Sequence, residues 1–165
     1  MGRPGALVLF DWGGTLMVDY GLPGPMAGWP EVAAVDGAGA ALAALGPDHR
    51  LVLATNAADS DEADIWRALG RVGLAGYLDA VYCARGLGLR KPDPAFFAAA
   101  VRDQGLRPER AAMVGDGYAD DIRGALSAGL KAVWLAPGRG CALDRDLAVV
   151  GHLRELPEAL AHLGL

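Results

Sequence analysis

The sequence predicts an α/β protein, a doubly wound, three-layer, Rossmann-like domain built on a parallel five-stranded sheet. Three observations carry this. Short runs that are apolar at successive positions recur along the chain, as buried parallel strands require when helices cover both faces. Longer segments with helical periodicity and caps separate them, and that alternation gives a doubly wound sheet. The chain has 165 residues, which reads as one domain with enough length to bury a core without disulfides or structural metal.

The strand runs are Ala6–Phe10, Leu51–Ala54, Ala80–Tyr82, Ala111–Val114 and Ala132–Leu135. A first helix is expected within Asp36–Leu45, which is dense in Ala and carries Leu42 and Leu45 on one side. Ser60 is the expected cap of a second, running to about Val72. Asp61, Glu62 and Asp64 fall in its first turn, where the helix dipole favours anions. Ile65, Leu69 and Val72 share a face, and Gly73 ends it. Asp93-Pro94 reads as an N-cap followed by Pro at the first helical position, with Phe97 and Val101 on the buried side and Gly105 as the stop. A further helix runs from near Tyr118 to Gly129, and Pro157 opens a last one. Residues 16–35, with Pro23, Pro25, Pro30 and several Gly, read as a flap, and residues 137–165 as a variable tail of a single domain over 1–165.

Composition narrows the function classes. Lys plus Arg is 15 and Asp plus Glu is 20, a net charge of −5, which argues against nucleic-acid binding by a basic face. No apolar run approaches the ~20 residues of a membrane helix. Met1-Gly2-Arg3-Pro4 leads straight into a short apolar stretch with no cleavage site, so no secretion signal is expected. Cys83 and Cys141 have no metal-ligand spacing and read as free thiols in a reducing, cytoplasmic setting.

Ligands of doubly wound sheets bind beyond the carboxyl ends of the strands, so the residues just after each strand matter most. Asp11-Trp12-Gly13-Gly14-Thr15-Leu16 follows the first run, and Thr55-Asn56 the second. Arg90-Lys91-Pro92-Asp93-Pro94 closes the loop after the third, and Gly115-Asp116-Gly117-Tyr118-Ala119-Asp120-Asp121 follows the fourth. These ends offer a carboxylate, a hydroxyl, an ammonium and a carboxylate cluster, a set suited to magnesium-assisted phosphoryl transfer. A carboxylate can attack phosphorus, Mg²⁺ prefers oxygen ligands, and hydroxyl, backbone N–H and Lys donors can hold phosphoryl oxygens. Lys91 stands out because the chain has only one other Lys, Lys131, and a compact ammonium acts differently from a guanidinium fork.

The pattern Phe10-Asp11-x-x-Gly14-Thr15-Leu16, Thr55-Asn56, Lys91-Pro92-Asp93-Pro94 and Gly115-Asp116 with Asp121-Ile122 resembles that of the haloacid dehalogenase-like hydrolases. The resemblance runs over about residues 6–136. It implies Asp11 as nucleophile, with Thr55 and Lys91 as its catalytic partners. Gly14, Thr15, Thr55, Asn56 and Lys91 would meet the phosphoryl group. Mg²⁺ would be held by Asp11, the Gly13 carbonyl, Asp116 and Asp121, with Asp120 as the other candidate for metal support. The implied substrate is a phosphorylated molecule.

Two departures stand beside that resemblance. Family phosphatases commonly carry a second Asp two residues after the nucleophile, as acid and base; here the position is Gly13, and acid–base help is typically worth about 10²–10⁴-fold. The Gly13 departure alone predicts a preference for aryl or acyl phosphates, with Asp19 on the flap or Asp120 as substitute base. The alternative is a catalytically silent phosphate- or protein-binding module on the same fold. The second departure is the lack of room for a large cap domain between Thr15 and Thr55 or between Thr55 and Lys91. An open site of that kind suits a large substrate or closure by a neighbouring subunit, and it disfavours a dehalogenase. A phospho-receiver domain fits poorly, since the third strand ends in Cys83-Ala84-Arg85.

Overall fold

The computed structural model describes residues 5–165; Met1–Pro4, the stretch on which the expectation of no secretion signal rests, lie outside them. Strands β1 (Leu7–Phe10), β2 (Arg50–Thr55), β3 (Ala80–Cys83), β4 (Ala111–Gly115), β5 (Lys131–Leu135), β6 (Ala142–Leu143) and β7 (Leu147–Val150) form one sheet in the order β3-β2-β1-β4-β5-β7-β6. All pairings are parallel except β6 with β7. The expected five strands are therefore all present, and the sheet has two more. These come from the stretch read as a variable tail, where the chain turns back after β5 and lays β7 along its free edge. Leu135 pairs with Val150, so an exposed row of backbone donors and acceptors is covered.

Alternate residues of the central strands feed two separate cores. Val8 and Phe10 face a core built with helices α1 (Ala38–Leu45), α2 (Glu62–Arg71) and α6 (Leu156–His162). Leu7 and Leu9 face a second, built with α4 (Pro94–Asp103) and α5 (Gly124–Ser127). A single helical turn, α3 (Ala84–Leu87), follows β3 directly. Phe10, Phe96 and Phe97 are fully buried, each worth about 1.5–3 kcal/mol on the transfer scale.

The second helix begins one residue later than Ser60 suggests. Asp61 is the N-cap, its carboxylate accepting from the Asp64 N–H while Asp64 accepts from the Asp61 N–H. This reciprocal capping satisfies two otherwise orphaned donors, and Ser60 is buried just outside it. Asp93 caps α4 as expected, accepting from the Ala95 N–H at 2.9 Å.

The flap is an ordered loop holding one 3₁₀ turn, Met26–Gly28. Met17 pairs with Ala34 at its base, Met26 and Trp29 are buried, and Arg71 of α2 donates to the carbonyls of Ala27, Trp29 and Pro30. Among the described residues no helix is long and apolar enough to cross a membrane, and both cysteines are free thiols.

Candidate active site

β1 lies between β2 and β4, so the chain leaves it in one direction through β2 and β3 and in the other through β4 and β5. The switch point falls between the carboxyl ends of β1 and β4, where Asp11 and Asp116 emerge. The Asp11 N–H continues the ladder by donating to the Val114 carbonyl at 2.9 Å. The chain then tightens, with the N–H groups of Thr15, Leu16 and Met17 all donating to the Trp12 carbonyl. Gly14 is in the left-handed region at φ 80°, and a Cβ there would sit 2.4 Å from Asp116 Oδ2. Conformation and space both require glycine at that position.

Lys91 is the hub. Its ammonium is 2 % exposed and donates to Asp11 Oδ1 at 2.9 Å, Asp121 Oδ1 at 2.6 Å and the Ala54 carbonyl at 2.7 Å. All three N–H donors are thus satisfied, as burial of an ammonium requires. Burial pulls the Lys91 pKa down, but the charges of Asp11 and Asp121 and the hydrogen bonds to them outweigh it and hold the pKa above the ordinary lysine value. Asn56 fixes the loop that carries this lysine, its amide donating to the Lys91 carbonyl and accepting from the Lys91 N–H, both at 2.8 Å.

Asp121 reaches the cluster from a π-helical turn over Tyr118–Arg123 that runs into α5. Such turns recur at functional sites. Here it lets Asp121 accept both from Lys91 and from the Gly117 N–H at 3.0 Å, while Asp120 stays exposed outside the cluster. Oxygen atoms of Asp11, Asp116 and Asp121 all lie within 4.8 Å of one another. Thr15 is buried, and its hydroxyl stands between Asp11 Oδ2 at 3.4 Å and Asp116 Oδ1 at 3.3 Å. Burial and the neighbouring Asp11 push Asp116 up to about 6. Asp121 is also pushed up to about 6, by burial and by Asp11, against the pull of Lys91. Three hard oxygen donors gathered on one side, with their charges crowding each other, fit a divalent cation such as Mg²⁺.

Asp11, Gly13, Asp19, Thr55 and Asn56 line one cavity of about 380 Å³, with Met26 and Trp29 of the flap also in its lining. Thr55 is nearly buried, and its Oγ1 accepts from the Ala57 N–H at 3.1 Å, leaving its own hydroxyl proton for another acceptor. Trp12 both lines the cavity and packs in the core, donating from Nε1 to Met17 Sδ at 3.1 Å. His152 pairs with Asp36 at 2.9 Å, away from the cluster. One neighbour escaped the sequence reading: Trp134 of β5 donates from Nε1 to the Asp116 carbonyl at 3.0 Å, with Tyr118 and Arg139 against its ring. A tryptophan near the carboxyl end of a strand beside the site is the signal that marks it.

The model of the haloacid dehalogenase-like hydrolase family matches residues 24–129. A phosphoserine phosphatase of Thermus thermophilus is 44% identical over 93 residues, covering 53% of this chain and 37% of that protein. A glyceraldehyde 3-phosphate phosphatase of Pyrococcus furiosus is 33% identical over 97 residues, covering 58% of this chain and 40% of that protein. The chain thus spans about two fifths of the length of these relatives. Among solved structures, an uncharacterized protein of Listeria monocytogenes superposes with a TM-score of 0.85 at 28% identity, covering 96% of this chain and 98% of that one.

Proposed function

Because the chain belongs to the haloacid dehalogenase-like hydrolases, we propose that it is a Mg²⁺-dependent phosphatase acting on phosphate monoesters through an aspartyl phosphate on Asp11. The observation that carries this reading is the Lys91 ammonium, bonded at once to Asp11 and Asp121 beside Asp116. A nucleophilic carboxylate must meet a dianionic phosphoryl group, and a fixed buried cation offsets that repulsion. The two curated relatives, both named as phosphatases, point to the same chemistry.

Asp11, Asp116 and Asp121, with the Gly13 carbonyl, are the groups that would hold Mg²⁺. When bound, the ion supplies positive charge beside the phosphoryl oxygens. Asp11 Oδ2, the oxygen not bonded to Lys91, attacks phosphorus in line with the leaving oxygen. Lys91 holds the carboxylate in one rotamer for that attack. Thr55 donates its free hydroxyl proton to a phosphoryl oxygen, and Trp12 and Gly13 border the same space, while Gly14 lets Asp116 pack close to the loop. Thr15 orients Asp11 and Asp116, and Asn56 acts through the loop of Lys91. No large cap is inserted between Thr15 and Thr55 or between Thr55 and Lys91. The flap leaves the cavity open to a sizeable substrate or to closure by a second subunit, in a cytoplasmic setting.

The test is turnover of a panel of phosphate monoesters by the purified chain, with and without Mg²⁺, and with Asp11→Asn. Mg²⁺-dependent phosphate release that Asp11→Asn abolishes is the expected result. Gly13 favours a second reading, a module that binds phosphate without turning it over. That reading requires Mg²⁺ and phosphate binding in the absence of any Asp11-dependent release.

A further inference from the structure

Asp19 stands where a side chain at position 13 would stand. A Cβ added to Gly13 would lie 3.3 Å from Asp19 Cβ, 3.4 Å from its Oδ2 and 3.6 Å from its Cγ. The flap thus brings a carboxyl group from outside into the space left open two residues after Asp11. Backbone contacts on either side fix this part of the flap: Gly13 and Met17 pair, Met17 pairs in turn with Ala34, and the Val18 N–H donates to the Ala33 carbonyl at 2.9 Å. The carboxyl group is oriented as well, since Oδ1 accepts from the Gly21 N–H at 2.8 Å. Oδ2 is the oxygen turned toward Gly13, and it shares the cavity with Asp11 and Thr55.

We propose that Asp19 is the general acid and base of this site, a role that rests on the phosphatase reading above. The other ionisable groups at the nucleophile are already committed. Lys91 has its three protons in bonds to Asp11, Asp121 and Ala54, and Asp116 and Asp121 belong to the cation cluster. Asp59 also lines the cavity, but the three atoms nearest the space beside Gly13 all belong to Asp19.

The chemistry closes. As the Asp11 oxygen bonds to phosphorus, the bond from phosphorus to the ester oxygen breaks and its electron pair stays on that oxygen. The protonated Asp19 gives its proton there, releasing a neutral alcohol and leaving Asp19 as carboxylate. Asp19 then takes a proton from water as the water oxygen bonds to phosphorus. The bond from phosphorus to Asp11 breaks, and inorganic phosphate leaves with Asp11 and protonated Asp19 restored. With that donor present, alkyl phosphates come within reach despite Gly13.

The test separates the two half-reactions with Asp19→Asn, which keeps an acceptor for the Gly21 N–H. Turnover of an alkyl phosphate is expected to fall about 10²–10⁴-fold. With p-nitrophenyl phosphate, whose leaving group needs no proton, the first-turnover burst of nitrophenolate should stay within about threefold of wild type. Steady-state release should slow, and phosphate should accumulate on Asp11. Moving the carboxyl group across the same space, in Gly13→Asp combined with Asp19→Gly, should restore alkyl turnover. Wild-type turnover that depends on Asp11 but survives Asp19→Asn overturns the Asp19 assignment alone, as does the same pattern appearing in Asp59→Asn instead. A burst that falls as far as alkyl turnover also overturns it. Absence of any Asp11-dependent turnover in wild type overturns the phosphatase reading, and Asp19 with it.

Discussion

Lys91 Nζ lies 2.6 Å from Asp121 Oδ1, and the two side chains are only 2% and 3% exposed. A buried ion pair of this kind contributes little net stability, but removing one partner strands the other's charge. Lys91→Met strands two, Asp121 and Asp11. The expected loss is about 3–5 kcal/mol of unfolding free energy, read from the urea midpoint, together with loss of phosphate turnover.

Asn56 predicts a different outcome. Its two bonds to the Lys91 backbone fix a loop rather than neutralise a charge. Asn56→Ala should cost about 1–3 kcal/mol. Turnover should fall while Lys91 remains charged, and Asn56→Asp should not restore it, because a carboxylate cannot donate to the Lys91 carbonyl. Steady-state kinetics alongside denaturant melts separate these effects.

Gly14→Ala meets two obstacles, a φ of 80° and Asp116 Oδ2 at 2.4 Å from the new methyl carbon. Left-handed backbone alone costs about 1–2 kcal/mol for a residue with a Cβ. Displacing Asp116 should also weaken the response to Mg²⁺. Calorimetric titration should show a lower affinity in this variant than in wild type.

Asp116 and Asp121 set a pH dependence with a definite sign. Their pKa values of about 6 lie above the ordinary 3.8. Between those values the folded chain binds more protons than the unfolded chain, so without a divalent cation stability falls as pH rises through that window. Mg²⁺ binds the ionised carboxylates. The rise in thermal midpoint on adding Mg²⁺ should therefore be larger at about pH 7.5 than at about pH 5. An equal rise at both would show that these carboxylates do not hold the ion. Chelation of divalent ions should abolish turnover, and Mg²⁺ should restore it.

The strands at the centre of the sheet were legible because burial on both faces leaves an unbroken apolar run. Leu7–Phe10 and Ala111–Gly115 are buried throughout. β7 alternates buried with partly exposed residues, and its partner β6 has two residues, both exposed, so neither carries that pattern. Ser60 and Asp61 are adjacent and both suit an N-cap. Only the returning bond from Asp64 decides between them, and that depends on the side chains as folded. In the site, Asp11, Thr55 and Asp116 stand out in the sequence because each ends or directly follows a strand run, and Lys91 because it ends the loop after the third as one of only two lysines. The choice of Asp121 over Asp120 depends on which carboxylate the π-helical turn points inward. The placement of Asp19 against Gly13 depends on a flap whose sequence has no periodicity.

The pairing of Met17 with Ala34 brings the two ends of the flap side by side. Chain added between them would leave the sheet, Lys91 and the carboxylates where they are. Closing a longer loop costs only about 0.6 kcal/mol for each doubling of its length. The base of the flap is thus a socket, to which segments of different size can be grafted while the phosphorus chemistry beneath stays the same. In this chain the grafted piece is short, and through Asp19 it reaches back into the chemistry it covers.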